Sequence, residues 1–290
     1  MKKILAILMI GAIVASCGKD LVSGDKEMSF SFGVQGTRVS NNAFETGDAV
    51  SLYAVEYSGE NAPELQIAGN LLNNEKITYN GSYWSSDRVL YWGEAPCDFY
   101  AVYPYQEFVS IEEQPFEVKV DQNSAGDSQS LGGYEASDLL YAKTVKKAQT
   151  DGVVEMTFSH VMSKCVVNII KGENFEGEIP DDIVAHIYNT ATSAVLNFAK
   201  GTVSKSVVGA RKTITMKKIS NTQFEAIVVP QNIERRTPLV EITMGGIAYL
   251  LDFSLSFRPG YVHTINLTVN TSPDQEKIEI SIDPEISGMS

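Results

Sequence analysis

Apolar and polar residues alternate with a period of two along almost the whole chain. Met28, Phe30, Phe32 and Val34 alternate with Ser29, Ser31 and Gly33, as a strand with one buried face requires. The same reading predicts strands at residues 50–55, 88–92, 98–103, 116–120, 153–158 and 164–170. Further strands are expected at 186–188, 194–198, 213–216, 223–229, 240–244, 249–257, 261–269 and 277–282. Turn residues punctuate them. Asn80-Gly81 and Gly245-Gly246 supply the positive backbone angles that two-residue hairpin turns need. No segment carries a long stripe of period 3.6. Many short strands at this spacing predict an all-β protein built of antiparallel β-sandwiches.

The polar stretches divide the chain. Residues 121–137 are rich in Ser, Gly, Gln and Asp and read as a long surface loop. Residues 143–151 read as a connection between domains. The pattern therefore predicts an N-terminal sandwich over 28–150 and a C-terminal sandwich over 151–290, with 17–27 as a polar tether.

The start of the chain departs from this pattern. Lys2 and Lys3 precede an unbroken apolar run over residues 4–14, followed by Ala15, Ser16 and Cys17. A charged start, an apolar middle and small residues before a cleavage point describe a secretory signal peptide, here residues 1–16. The run is shorter than the roughly 20 residues that span a bilayer. A cysteine directly after V-A-S makes the segment a lipobox, with Cys17 as the acylated first residue of the mature chain. Several acyl chains, at about 0.8 kcal/mol per buried methylene, would hold it on a membrane. The expected location is the outer membrane, facing outward.

Charge and chemistry then narrow the function. The formal charge is −13, and −15 once Lys2 and Lys3 are removed. So acidic a surface repels nucleic acid and anionic lipid. Cys97 and Cys165 each fall in step with apolar neighbours, as two separate buried thiols would; an oxidising envelope leaves a bridge between them open. The three histidines, His160, His186 and His263, share no metal-binding or metalloprotease spacing. There is no nucleophile elbow and no Gly-rich phosphate loop. Asp121, Asn123 and Gly126 match the first, third and sixth places of a calcium loop, but Ala125 and Gly132 stand where oxygen ligands are needed. No catalytic residue, metal or cofactor is assigned, and a non-enzyme is expected. Trp84, Trp92, Phe99 and Tyr103 read as core and cross-strand packing.

Six blocks now carry a resemblance. V-L-Y-W-G-E-A-P-C-D-F-Y-A-V-Y-P-Y over 89–105 is similar to a block of the fimbrillin family of Bacteroides-type bacteria. In that family's order stand F-E-T-G-D-A-V-S-L-Y-A at 44–54, S-D-L-L-Y-A at 137–142 and M-T-F-S-H-V-M-S-K at 156–164. I-V-V-P-Q at 227–231 and F-R-P-G-Y-V-H-T-I-N-L-T-V at 257–269 complete the set. The C-terminus departs from the pattern, since the Ile282-Asp283-Pro284-Glu285 segment lacks the tryptophan many members carry there.

The resemblance implies two transthyretin-like β-sandwiches in tandem and a surface lipoprotein that serves as a stalk, tip or anchor subunit of a type V pilus. It implies proteolysis after Arg38, displacement of the strand carrying Met28, Phe30, Phe32 and Val34, and its replacement by a strand from the next subunit. Residues 277–282, with Ile278, Ile280 and Ile282 on one face, are the expected donor, and Pro284, with no N–H, is expected to end its ladder. Partners would be other pilus subunits, outer-membrane lipid through Cys17 and a host glycan or protein. The alternative is a lipoprotein that never polymerises, acting as a pilus anchor or a glycan- or protein-binding module.

Overall fold

The computed structural model describes residues 26–35, 44–127, 130–234, 237–270 and 280–289. The chain runs β1 (Ser29–Val34), β2 (Ala49–Glu56), β3 (Leu72–Tyr79), β4 (Trp84–Ser86), β5 (Cys97–Tyr103) and β6 (Gln114–Glu117). After a 3₁₀ turn at Glu135–Ser137 come β7 (Leu140–Lys147), β8 (Val153–His160) and β9 (Ser163–Lys171). Then follow β10 (Val184–Ala191), β11 (Ser193–Asn197), β12 (Thr202–Lys205), β13 (Arg211–Thr215), β14 (Lys217–Lys218) and β15 (Gln223–Val228). The last elements are β16 (Gln231–Ile233), β17 (Pro238–Met244), β18 (Ile247–Asp252), β19 (Leu255–Phe257), β20 (Tyr261–Val269) and β21 (Ile280–Gly288). The protein is all-β, as the alternation predicts.

One sheet of seven strands, ordered β1-β8-β7-β5-β2-β3-β4, forms the N-terminal half. The C-terminal half holds a five-stranded sheet, β14-β15-β9-β20-β21, and a four-stranded sheet, β13-β10-β17-β18. A three-stranded sheet, β12-β11-β6, and the pair β16-β19 complete it. Most neighbours are antiparallel, but β1–β8 and β9–β20 are parallel.

The expected boundary at residue 150 is corrected by this topology. It falls in the turn of the β7–β8 hairpin, and both strands belong to the seven-stranded sheet. After β8 the chain leaves this sheet between His160 and Ser163, and before it only β6 has lain in another sheet. Residues 143–151, read as a connection, lie largely in β7: its lysines and threonine carry no apolar stripe, so the strand is silent in the pattern. Residues 88–92, read as a strand, contribute only an isolated bridge between Glu27 and Tyr91.

Nor does each half wall off a core of its own. Strands β2 and β5 are buried on both faces, so alternate residues enter different cores. Leu52, Ala54, Cys97, Phe99, Ala101 and Tyr103 face one cluster, together with β1. Tyr53, Val55, Tyr100 and Val102 face the other, which extends through the C-terminal half. Phe198 of that half meets Tyr53 at 5.3 Å and Tyr100 at 6.0 Å between ring centroids. The seven-stranded sheet is thus a shared wall. Cys97 and Cys165 lie on opposite sides of it and are free, as the reading of separate buried thiols has it. Burial, helped by the charges of Glu56 and Asp98, pushes the Cys97 thiol up to about 12.

The polar stretch 121–137 is not wholly a surface loop. Gln122 is fully buried: its Nε2 donates to the Ile227 carbonyl at 2.7 Å and its Oε1 accepts from the Ile227 N–H at 2.7 Å. A polar side chain satisfied in this way can leave the surface without cost, which its residue type alone does not reveal.

Candidate functional site

β1 is the element with the most distinctive setting. Its four apolar side chains all point inward, with Met28, Phe30, Phe32 and Val34 between 6% and 9% exposed, while Ser29, Ser31 and Gly33 face out. Its backbone pairs with β8 in parallel from Ser29↔Val153 to Val34↔Phe158. Both ends are tied down. The Met28 N–H donates to the Leu90 carbonyl at 2.7 Å, the Trp92 N–H to the Lys26 carbonyl at 2.9 Å, and the Gln35 N–H to the Phe158 carbonyl at 2.8 Å.

The aromatic rings make the plug. Phe30 meets Phe99 edge-on at 5.6 Å, and Phe32 meets Trp84 at 4.9 Å and Phe158 at 5.6 Å. Trp84 belongs to β4, the opposite edge of the same sheet. The sheet therefore curls until its two edges approach. They touch through side chains and share no hydrogen-bonded ladder. A crevice of about 460 Å³, lined by Phe30, Phe32, Phe44, Tyr79 and Trp84 among others, runs along this seam. Trp84, Trp92, Phe99 and Tyr103 are thus packing residues, as their pattern predicts.

A larger cleft of about 770 Å³ begins where β1 ends, at Val34, and reaches Ser287–Met289 at the end of the described chain. Its floor is a set of paired charges. Lys164 Nζ lies 2.6 Å from Glu225, which also accepts from the Tyr134 hydroxyl at 3.1 Å. Lys217 pairs with Glu135, and His160 Nδ1 lies 3.0 Å from Asp138. The Tyr103 hydroxyl donates to Asp48 at 3.0 Å. Burial and these carboxylates hold the Tyr134 and Tyr103 hydroxyls well above their ordinary pKa. Glu45, Asp48, Glu135, Asp138 and Glu225 outnumber Lys164 and Lys217, so the cleft keeps an excess of carboxylates; no group of three or more metal-binding side chains exists among the described residues.

Of the residues singled out from sequence, Cys17, Arg38 and Ile278 lie outside the described residues. Ile280 and Ile282 fall in β21, which pairs antiparallel with β20 from Tyr261↔Gly288 to Val269↔Ile280. The ladder expected to stop at Pro284 continues through it, opposite Ile265. β21 is the edge of its sheet, and a proline on an edge can turn its missing donor outward. The structure keeps the two strand segments apart: β1 fills the N-terminal sheet and β21 the C-terminal one.

Three solved structures share this fold. A candidate cell-adhesion protein from Bacteroides uniformis has 20% identity and a TM-score of 0.66, covering 92% of this chain and 99% of its own. One from Bacteroides ovatus has 15% identity and a TM-score of 0.67, covering 90% and 96%. A fimbrial protein from Bacteroides vulgatus has 14% identity and a TM-score of 0.51, covering 91% and 99%. No curated protein sequence matches the chain. A sequence profile described as fimbrillin-like matches residues 37–287, from just after β1 to the penultimate residue of β21. The chain belongs to the fimbrillin-like family.

Proposed function

We propose that this protein is a cell-surface fimbrillin-like lipoprotein, anchored to the outer membrane through Cys17 and acting as a structural or adhesive subunit of a type V pilus. Its work is assembly with other pilus subunits, and no catalytic step is involved. Family membership and the fold shared with fimbrial and adhesion proteins support the coarse reading.

The observation that carries the finer reading is the setting of β1. It is a short strand whose four buried side chains close a core, and it ends a few residues before Arg38. Cleavage after Arg38 would disconnect it from the chain. Its loss would bare the β8 backbone and an apolar slot, and an incoming strand restores both. The donor would come from residues 277–282 of a neighbour, carrying Ile278, Ile280 and Ile282.

One observation favours the alternative of a non-polymerising anchor or binding lipoprotein. β21 is already paired with β20 along its whole length, so donation requires it to leave that ladder. Trypsin treatment of purified protein, read on a gel without boiling, separates the two. Polymer ladders from wild type but not from Arg38→Ala support strand exchange. An uncut Arg38, with acyl label retained at Cys17, supports the anchor.

A further inference from the structure

The cleft between the ends of β1 and β21 has two sides of different charge. On one side Lys164 pairs with Glu225 and Lys217 with Glu135. Both ammonium groups also lie over the Tyr134 ring, 5.9 Å and 5.0 Å from its centroid. These charges offset one another. The other side is built at the end of the seven-stranded sheet, where Tyr103 of β5, Leu140 of β7 and His160 of β8 stand side by side. Its carboxylates are Glu45, Asp48 and Asp138. Among the described residues no lysine or arginine pairs with any of the three. Asp48 accepts from neutral donors, the Tyr103 hydroxyl at 3.0 Å and the Glu45 N–H at 2.7 Å. Burial, then the charges of Asp48, Asp138 and Glu135, hold the Tyr103 hydroxyl above its ordinary pKa, so the fields of these carboxylates converge there.

His160 adds an independent mark. It lines the cleft with a side chain only 5% exposed. Its Nδ1 donates to the Asp138 carboxylate at 3.0 Å, which makes Nε2 of the neutral ring an acceptor. Nε2 is buried and has no partner among the described residues. A buried acceptor left unpaired is costly and uncommon. The nitrogen and the unpaired carboxylates ask for the same thing, a cation that donates N–H bonds.

We propose that this cleft binds an arginine side chain presented by a basic segment of another protein. A guanidinium carries five N–H donors in a planar fork, enough to serve several acceptors at once. The remaining wall, with Val34, Phe44, Leu140 and Val262, is apolar and suits the stem and flanking residues. The volume of about 770 Å³ lies in the range of pockets that enclose whole ligands. A net charge of −13 turns away copies of this chain, so the partner is a different and basic protein. The site does not rest on strand exchange, because the uncleaved protein presents it.

Calorimetric titration of the purified, uncleaved protein with acetyl-Val-Arg-Val-amide at low ionic strength tests this. One-to-one binding is expected. It should weaken at least ten-fold in the Glu45→Gln, Asp48→Asn double variant, whose circular dichroism should match wild type, and stay unchanged in Glu112→Gln. In wild type the peptide should shift the Nε2 resonance of His160 in a nitrogen-15 spectrum and leave that of His263 in place. No binding, equal binding of acetyl-Val-Glu-Val-amide, an undiminished double variant or an unmoved His160 resonance overturns the proposal. Agmatine binding as tightly as the peptide would overturn the assignment to a protein segment. Binding seen only in Arg38→Ala would hand the cleft to this chain's own arginine and overturn it as well.

Discussion

β1 and β21 are both strands near a chain end that read as alternating in sequence, yet they hold on by different means. β1 makes six parallel pairs and buries four large apolar side chains. β21 makes nine antiparallel pairs, but residues 283–288 stand exposed. The first is a plug and the second is a ladder. Side-chain burial is worth roughly 1.5–3 kcal/mol per large apolar residue. A net backbone hydrogen bond is worth about 0.5–1.5 kcal/mol, against about 1–2 kcal/mol of backbone entropy for each residue ordered. A stretch held only by its ladder, as residues 283–288 are, therefore sits near balance, while a strand that fills a core does not.

The sharpest way to break this comparison is to delete each strand. Removing residues 26–35 takes away four side chains, together about 6–12 kcal/mol, which matches the whole stability of a typical domain. We expect loss of cooperative unfolding and strong binding of a hydrophobic dye, both reversed by a synthetic peptide of residues 26–35. Ending the chain after Val269 should cost no more than about 2 kcal/mol by urea denaturation. If that truncation proves the more damaging, the contrast between plug and ladder is wrong.

Single substitutions sharpen the same point. Phe99 is fully buried beneath Phe30 and Trp92, so Phe99→Ala should lose about 3–5 kcal/mol. Phe32→Ala, in the plug itself, should lose a comparable amount. An effect below about 0.5 kcal/mol at either site would mean the β1 side of the core is loosely packed.

The smallest expected effect concerns the strand that β21 covers. His263 in β20 is fully buried, accepting at Nε2 from the Arg258 N–H at 3.2 Å. Burial holds its pKa below the ordinary value. The unfolded chain then binds the proton more readily, so stability rises with pH through this range and falls as pH drops below about 6.5. The fall in melting temperature from pH 7 to pH 5 should be smaller in His263→Gln than in wild type. An equal fall would assign the acid sensitivity to other groups.

Much of the fold was legible because burial and alternation coincide. Phe99 and Tyr103 share one face of β5 and Tyr100 the other, as their parity predicts. The Gly245-Gly246 and Asn80-Gly81 turns connect strands as expected, with Gly81 at φ 93°. What parity does not reveal is what covers the second face. Tyr100 points away from the N-terminal core, yet it is buried against Phe198, almost a hundred residues on. Only long-range packing decides that. The same holds for β6, which lies in the N-terminal half of the sequence but pairs with β11. Of the candidate site, β1 and the inward parity of its apolar residues were legible. The intramolecular docking of β21 was not, because pairing partners leave no local mark on a strand.

The parallel pairing of β1 with β8 has a mechanical consequence. In a chain held at its N-terminus and loaded through its C-terminal half, tension enters β1 at Ser29 and leaves β8 at His160. In a parallel pair those are opposite ends. The load then acts along the strands, and all six pairs must yield together. An antiparallel partner in the same place would be peeled apart one bond at a time. Under such a load, the orientation of a single strand would make β1 a shear clamp.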